Sequence, residues 1–143
     1  MIVPDINLLL YAYDSDSPWH AGAATWWEAC LSGGESVGLA YSVVFGFLRI
    51  ATSARVYERP MSVAEACGHI DSWIERSVTQ VLEPGASHVS EVRRLLIASG
   101  AGGGTLVTDA RIAALAIAYK AVVHTADHDF ERFPGLRTRY PVG

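Results

Sequence analysis

The sequence predicts an α/β protein, a three-layer α/β/α domain with a central parallel sheet, and three observations carry that prediction. Short apolar runs at residues 1–4, 36–41, 78–82 and 121–125 alternate with longer stretches of helical periodicity. Half of the residues are hydrophobic and only 18% are charged, which excludes disorder and leaves a packed domain. Acidic residues fall where apolar runs end. Asp5 closes Met1-Ile2-Val3-Pro4, Asp109 follows Leu106-Val107-Thr108, and Asp127 and Asp129 follow Ala121-Val122-Val123-His124-Thr125. In a parallel sheet the carboxyl ends of the strands share one edge, where sites form.

Each element has its own local reason. Residues 1–4 form a first strand and 7–13 a short apolar helix. Pro18 opens a second helix running to about Leu31, with Trp19, Ala23, Trp26, Trp27 and Cys30 at near-helical spacing. Residues 36–41 form a strand, and Ser42 is placed to cap a helix carrying Phe45, Phe47, Leu48 and Ile50. Ser62 with Glu65 three residues on is a capping-box pattern for a helix over 62–76. A strand follows at 78–82, and a helix over 86–98 stops at Gly100. Leu106 and Val107 read as a short strand-like approach to a helix over 109–119, with Thr108 at its cap. Residues 121–125 form a strand, and 137–140 a final edge strand.

At 143 residues the chain is expected to be one domain, 1–143, without repeats, linkers or low-complexity tracts. It has no apolar run of the roughly 18 residues a membrane span needs. No basic residue precedes the first apolar stretch, which argues against a signal peptide. Cys30 and Cys67, far apart, offer no disulfide framework, and a cytoplasmic location is the expectation. The formal charge of −4 disfavours binding nucleic acid through a broad basic surface, but leaves room for an enzyme whose carboxylates gather at a metal. All basic residues but Lys120 are arginines. Their forked guanidinium suits phosphate, although a GC-rich genome would give the same bias.

The aspartates carry the functional argument. Carboxylates brought to one sheet edge repel each other unless a cation lies between them, and hard oxygen donors suit Mg²⁺ or Mn²⁺. Taken singly, Asp109 serves equally well as an acidic first-turn residue favoured by the helix dipole. The combination with Asp5 and Thr125-Ala126-Asp127-His128-Asp129 favours a divalent-metal site. A phosphodiester can then be hydrolysed with metal assistance and no side-chain nucleophile. Asp5-Ile6-Asn7 lacks the second acid that haloacid-dehalogenase-like phosphatases carry after the first strand.

Asp5-Ile6-Asn7, Leu106-Val107-Thr108-Asp109-Ala110 with its alanine-rich helix, and Thr125-Ala126-Asp127-His128-Asp129-Phe130 followed by Arg132-Phe133-Pro134-Gly135-Leu136 occur in an order and spacing that span nearly the whole chain. In these motifs the chain resembles the PIN-domain ribonucleases, specifically the VapC-type toxins of bacterial toxin–antitoxin pairs. Phe45-Gly46-Phe47-Leu48-Arg49-Ile50-Ala51-Thr52 resembles a subgroup plentiful in mycobacteria. The resemblance implies a Mg²⁺- or Mn²⁺-dependent endoribonuclease acting on structured RNA, a homodimer, and a VapB-like antitoxin as partner. It implies Asp5 and Asp109 as metal ligands, Asp127 completing the catalytic cluster, and Asn7 and Thr125 as polar support.

One departure stands out. The family's usual glutamate on the helix after the second strand corresponds here to Gly46, which brings no side-chain ligand. A weakly catalytic module that binds RNA or an antitoxin is therefore the alternative reading. Asp129 either compensates or caps the turn before Phe130, and Arg49 either holds substrate phosphate or forms a structural salt bridge, the latter being favoured. The five histidines read as structural or surface residues. Tyr11, Tyr13, Trp26 and Trp27 are assigned to partner contact rather than to RNA. Arg55, Arg59, Arg132, Arg137 and Arg139 are candidate phosphate contacts, with solvated surface the default.

Overall fold

The structure is a computed structural model that describes residues 1–100 and 102–142. Its sheet has five strands in the order β3-β2-β1-β4-β5. These are β1 (Ile2–Pro4), β2 (Val37–Ala40), β3 (Thr79–Leu82), β4 (Val122–His124) and β5 (Arg137–Arg139). All pairings are parallel, with Ile2 opposite both Val37 and Val122. The six α-helices described are α1 (Ile6–Tyr13), α2 (His20–Ser32), α3 (Tyr41–Ala51), α4 (Val63–Ile74), α5 (His88–Ser99) and α6 (Leu106–Ala118), with a 3₁₀ turn at His128–Arg132.

The chain moves from β1 outward to β2 and β3, then returns past β1 to β4 and β5. Right-handed crossovers with that reversal distribute helices over both faces, so the sheet is the middle of three layers. Helices pack as α1 on α2, α3 on α4 and α5 on α6, and α3 also reaches α6. β1 and β2 are buried at every position, as a two-faced sheet requires. The core gathers Val3, Leu9, Leu39, Phe47, Trp73 and Phe130 with the alanine-rich face of α6, where Ala110 and Ile112 through Ala116 are buried. Small residues there let α6 approach closely.

Most predicted elements are present, and several details are corrected. Ser62 does cap α4, its hydroxyl accepting the Glu65 N–H at 3.0 Å. Gly100 ends α5 in the left-handed conformation, φ +70°. Ser42 is not a cap. The ladder ends at Ala40, α3 starts at once with Tyr41, and Ser42 lies inside its first turn. Leu106 and Val107 are not an approach strand, nor is Thr108 a cap. Gly103 and Gly104, with φ +91° and +66°, turn the chain directly into α6, and these residues form its first turn. Cys30 and Cys67 are free thiols, as expected. Among the described residues, no helix is long and apolar enough to cross a membrane.

Candidate active site

The strand order reverses between β1 and β4, which pair in register with Pro4 opposite His124. Such a switch point leaves a crevice beyond the carboxyl ends of the strands, because the connections leave in opposite directions. Asp5 is the first residue beyond β1, and Thr125 the first beyond β4. The Asp5 N–H donates to the His124 carbonyl at 2.9 Å, extending the ladder one step past the strands.

Asp5 is 4% exposed, and both its oxygens are engaged. Oδ1 accepts the Ile6 N–H at 2.7 Å as the cap of α1, and Oδ2 accepts the Thr125 hydroxyl at 2.8 Å. Burial pushes the Asp5 carboxyl above its ordinary range; the two hydrogen bonds pull it back, and Asp127 pushes it up again. The fully buried Thr125 is a hub. Its Oγ1 accepts the Asp127 N–H at 2.9 Å while it donates to Asp5. Asp127 caps the following 3₁₀ turn, its Oδ1 accepting the Asp129 N–H at 2.9 Å.

Asp109 comes from the first turn of α6 and is partly exposed. Its pKa is pushed up to about 7, by burial first and then by the charges of Asp5, Asp127 and Asp129. The four aspartates named in the sequence therefore share one electrostatic neighbourhood, although Asp109 reaches it from a helix rather than from a strand end. Among the described residues no three His, Cys, Asp or Glu side chains converge into a ready metal-ligating shell. The donor chemistry nevertheless fits a hard divalent cation: oxygen donors only, with mutual repulsion that such a cation relieves.

Asn7, expected as polar support, is exposed on the first turn of α1. Asp129 does not cap the turn, which Asp127 does; it pairs with Arg132 at 3.3 Å. The salt bridge expected of Arg49 is absent among the described residues, and its exposed side chain has no partner there. A Cβ on Gly46 would lie 2.6 Å from Ile6 Cδ1, so the space a longer side chain would use is filled by the residue after Asp5. Arg137 donates to the Lys120 carbonyl at 2.7 Å. Trp27 is 2% exposed and packed edge-on to Trp73, which removes it from any partner surface; Tyr11, Tyr13 and Trp26 are partly exposed.

One residue at the site carries no functional signal in the sequence. His124 is buried, and its Nδ1 accepts the Trp26 indole N–H at 3.0 Å. Burial above all lowers its pKa to about 4, so it is neutral, and Trp26 lies over it with ring centroids 5.9 Å apart. The pair ties α2 to the strand end that holds Asp5. Its partners are 98 residues apart, and no local pattern announces it. A cavity of about 330 Å³ lies elsewhere, lined by residues such as Leu10, Tyr13, Asp14, Tyr57 and Met61; none of the four aspartates borders it.

Comparison with known proteins gives this geometry a family. Residues 2–136 match the PIN domain. The chain is similar to ribonuclease VapC33 of Mycobacterium tuberculosis, 41% identical over 142 residues that cover 99% of each protein. It is also similar to ribonuclease VapC37 of the same species, 33% identical and covering 99% of this chain and 97% of the other. Among solved structures, VapBC2 from Rickettsia felis bound to a DNA fragment from their promoter shares the fold. The TM-score is 0.69, with 19% identity over 97% of this chain and 98% of that one. The sarcin–ricin-loop-cleaving toxin VapC20 of Mycobacterium tuberculosis does too, at TM-score 0.69 and 16% identity over 96% and 99%. The chain belongs to the PIN-domain family and, within it, to the VapC ribonucleases.

Proposed function

We propose that the chain is a metal-dependent endoribonuclease, the toxin of a toxin–antitoxin pair, acting as a single domain in the cytoplasm on structured RNA. One observation carries this reading: Asp5, Asp109, Asp127 and Asp129 share the switch point, where burial first and then the charges of the other three push Asp109 up to about 7. Asp5 and Asp109 would hold Mg²⁺, with Mn²⁺ as a substitute, and Asp127 would complete the set. When bound, the ion supplies charge neutralisation at the phosphate and activation of water near neutral pH.

The chain's own residues prepare that chemistry. Ile6 and Thr125 fix the rotamer of Asp5, and each carboxylate oxygen keeps a further lone pair for a cation. Thr125 holds the loop bearing Asp127 against Asp5, and Arg132 offsets the charge of Asp129. Partnership with a VapB-like antitoxin is supported by proteins of the same fold crystallised as VapBC complexes, and the chain is proposed to act as a homodimer.

The test is cleavage of labelled cellular RNA by the purified protein with Mg²⁺, with Mn²⁺ and with EDTA, beside Asp5→Asn and Asp109→Asn. Discrete cuts that need the metal and vanish in both variants are expected. Cleavage that survives in folded Asp5→Asn would overturn the assignment. Mn²⁺ binding without turnover would favour the alternative, a weakly catalytic binding module. The packing of Gly46 against the Ile6 tip, which crowds a side chain at that position, supports that alternative.

A further inference from the structure

Three strands end level with one another at the acidic edge. Pro4 stands opposite His124, and His124 opposite Arg139, so Asp5, Thr125 and Tyr140 are the first residues beyond β1, β4 and β5. The ladder continues past that line. The Asp5 N–H donates to the His124 carbonyl at 2.9 Å, and the Thr125 N–H to the Arg139 carbonyl at 3.0 Å. Residues level in a parallel sheet project to the same face, and neighbouring strands lie about 5 Å apart. Tyr140 therefore joins the row of Asp5 and Thr125, next to Thr125 on the side away from Asp5. Its hydroxyl is raised above the ordinary range by burial first, and the charge of Asp127 adds to the rise.

The turn beyond β4 builds on this row. Buried Phe130 anchors the 3₁₀ turn in the core, and His128 opens it, between Asp127 and Asp129. Three residues per turn bring His128 and Glu131 to one side, where His128 Nδ1 meets Glu131 Oε1 at 3.2 Å. The Tyr140 hydroxyl donates to the same oxygen at 3.0 Å. The His128 ring lies flat on the Tyr140 ring, with centroids 4.3 Å apart and planes at 17°. One carboxylate thus holds two stacked rings. Tyr140 covers one face of the imidazole, and the side chain is still 73% exposed. Ordering an exposed side chain costs entropy and buries little apolar area in return. What it provides is a flat ring in a fixed orientation beside the acids.

Resting on the ribonuclease reading above, we propose that His128, held by Tyr140 and Glu131, is a substrate-positioning residue that stacks on an unpaired RNA base next to the phosphate at the aspartates. An imidazole face accepts any base, but needs one released from its helix, so His128 selects unpaired nucleotides over base identity. The contact also answers a charge problem. A protein of net charge −4 must hold a polyanion at its most acidic edge, and a stack attracts without a charge of its own. Arg132 pairs with Asp129 at 3.3 Å and lowers the repulsion beside His128.

The experiment is binding of a short single-stranded RNA to the full chain, followed by anisotropy, once in EDTA and once with Ca²⁺ supplied as a hard cation for the carboxylates. Each nucleotide in turn is replaced by an abasic one, and then by the fluorescent base 2-aminopurine. With wild type, one abasic position should cost about tenfold in affinity, the scale of one base–ring stack, and 2-aminopurine there should be quenched. His128→Ala should lose about the same tenfold on the intact RNA, lose the quench and no longer sense the abasic position, a protein–RNA cycle that isolates the contact. His128→Trp should restore affinity and quench, and Tyr140→Leu, without the supporting ring, should fall between. The slope of log affinity against log salt should not change in His128→Ala, since a stack neutralises no phosphate. Unchanged binding and quenching in His128→Ala would overturn the proposal, as would losses from the variant and the abasic position that simply add. A slope flatter by about 0.7 would too, because His128 would then contact phosphate. So would a wild type that binds no RNA in either condition, or a His128→Ala protein changed only in its self-association. RNA cleavage with unchanged His128→Ala binding removes the stack and keeps the nuclease. His128-dependent binding of a base by a protein that never cleaves keeps the stack and removes the nuclease.

Discussion

Thr125 donates its hydroxyl hydrogen to Asp5 Oδ2 at 2.8 Å across 120 residues of sequence, and the same hydroxyl oxygen accepts the Asp127 N–H at 2.9 Å. One buried hydroxyl therefore orients two carboxylates. Thr125→Val keeps the shape of the side chain and removes both functions. A hydrogen bond to a charged group contributes about 1.5–3 kcal/mol, and a buried carboxylate left short of a donor is costly. Urea unfolding at neutral pH should show a loss in that range, with weaker Mn²⁺ binding, because the Thr125 hydrogen bond lowers the Asp5 pKa. Thr125→Ser should restore most of both. A Thr125→Val protein with wild-type stability and wild-type Mn²⁺ affinity would remove Thr125 from the site.

Gly46 and Ile6 should behave as a coupled pair. Alanine in place of glycine within a helix gains up to about 1 kcal/mol. At Gly46 that gain meets a contact of 2.6 Å with Ile6 Cδ1 and 3.2 Å with Cγ1, and crowding of this kind costs about 1–3 kcal/mol unless the neighbour moves. The Ile6 tip can rotate, so Gly46→Ala alone is expected to be neutral to mildly destabilising. In an Ile6→Ala background the same change should stabilise by about 1 kcal/mol. A double-mutant cycle by urea unfolding measures the coupling, and strict additivity would show that Ile6 does not close this space. Gly46→Glu should gain Mn²⁺ affinity only when Ile6 is also truncated.

Asp5 and the strands around it are legible in the sequence because their signals are local. A short apolar run ends at a carboxylate, and the alternation of short runs with helical periods implies parallel connections. Asp109 falls where its sequence context places it, but by a different route. Leu106-Val107-Thr108 is as β-prone as a short strand, yet the positive-φ glycines before it close the turn early, and burial of Leu106 draws the segment into α6. The pairing of Trp26 with His124 joins residues 98 positions apart, beyond the reach of any local pattern. The pairing of Phe45 with Tyr41 is local, but in sequence it is indistinguishable from part of an ordinary apolar helix face. Exposure, which separates a core aromatic from a surface one, is a property of the packed chain. Arg49 shows the same limit, because the absence of a salt bridge depends on where every acid ends up.

Asp109 and His124 titrate in opposite senses over nearly the same pH window, and this makes a last prediction separable. The Asp109 carboxyl, raised from 3.8 to about 7, holds a proton in the folded state that the unfolded chain has released. Its stabilising contribution is complete below about pH 3.8 and is lost as pH rises through about 7. The His124 ring, lowered from 6.5 to about 4, contributes stability above about pH 6.5 that is lost as pH falls through about 4. In EDTA the two slopes offset, and the wild-type stability profile should be shallow between about pH 4 and 7. Asp109→Asn removes one of them. The variant should lose stability steadily as pH falls across that range. Above about pH 7 it should exceed wild type by on the order of 1–2 kcal/mol, the linkage reduced for solvent screening of a partly exposed carboxyl. Saturating Mn²⁺ should reverse the ranking above neutral pH, because the wild-type carboxylate then has a cation to hold and the amide does not. Parallel profiles for the two proteins in EDTA would mean that neither burial nor the charges of Asp5, Asp127 and Asp129 raise the Asp109 carboxyl, and the acidic centre would lose its main physical support.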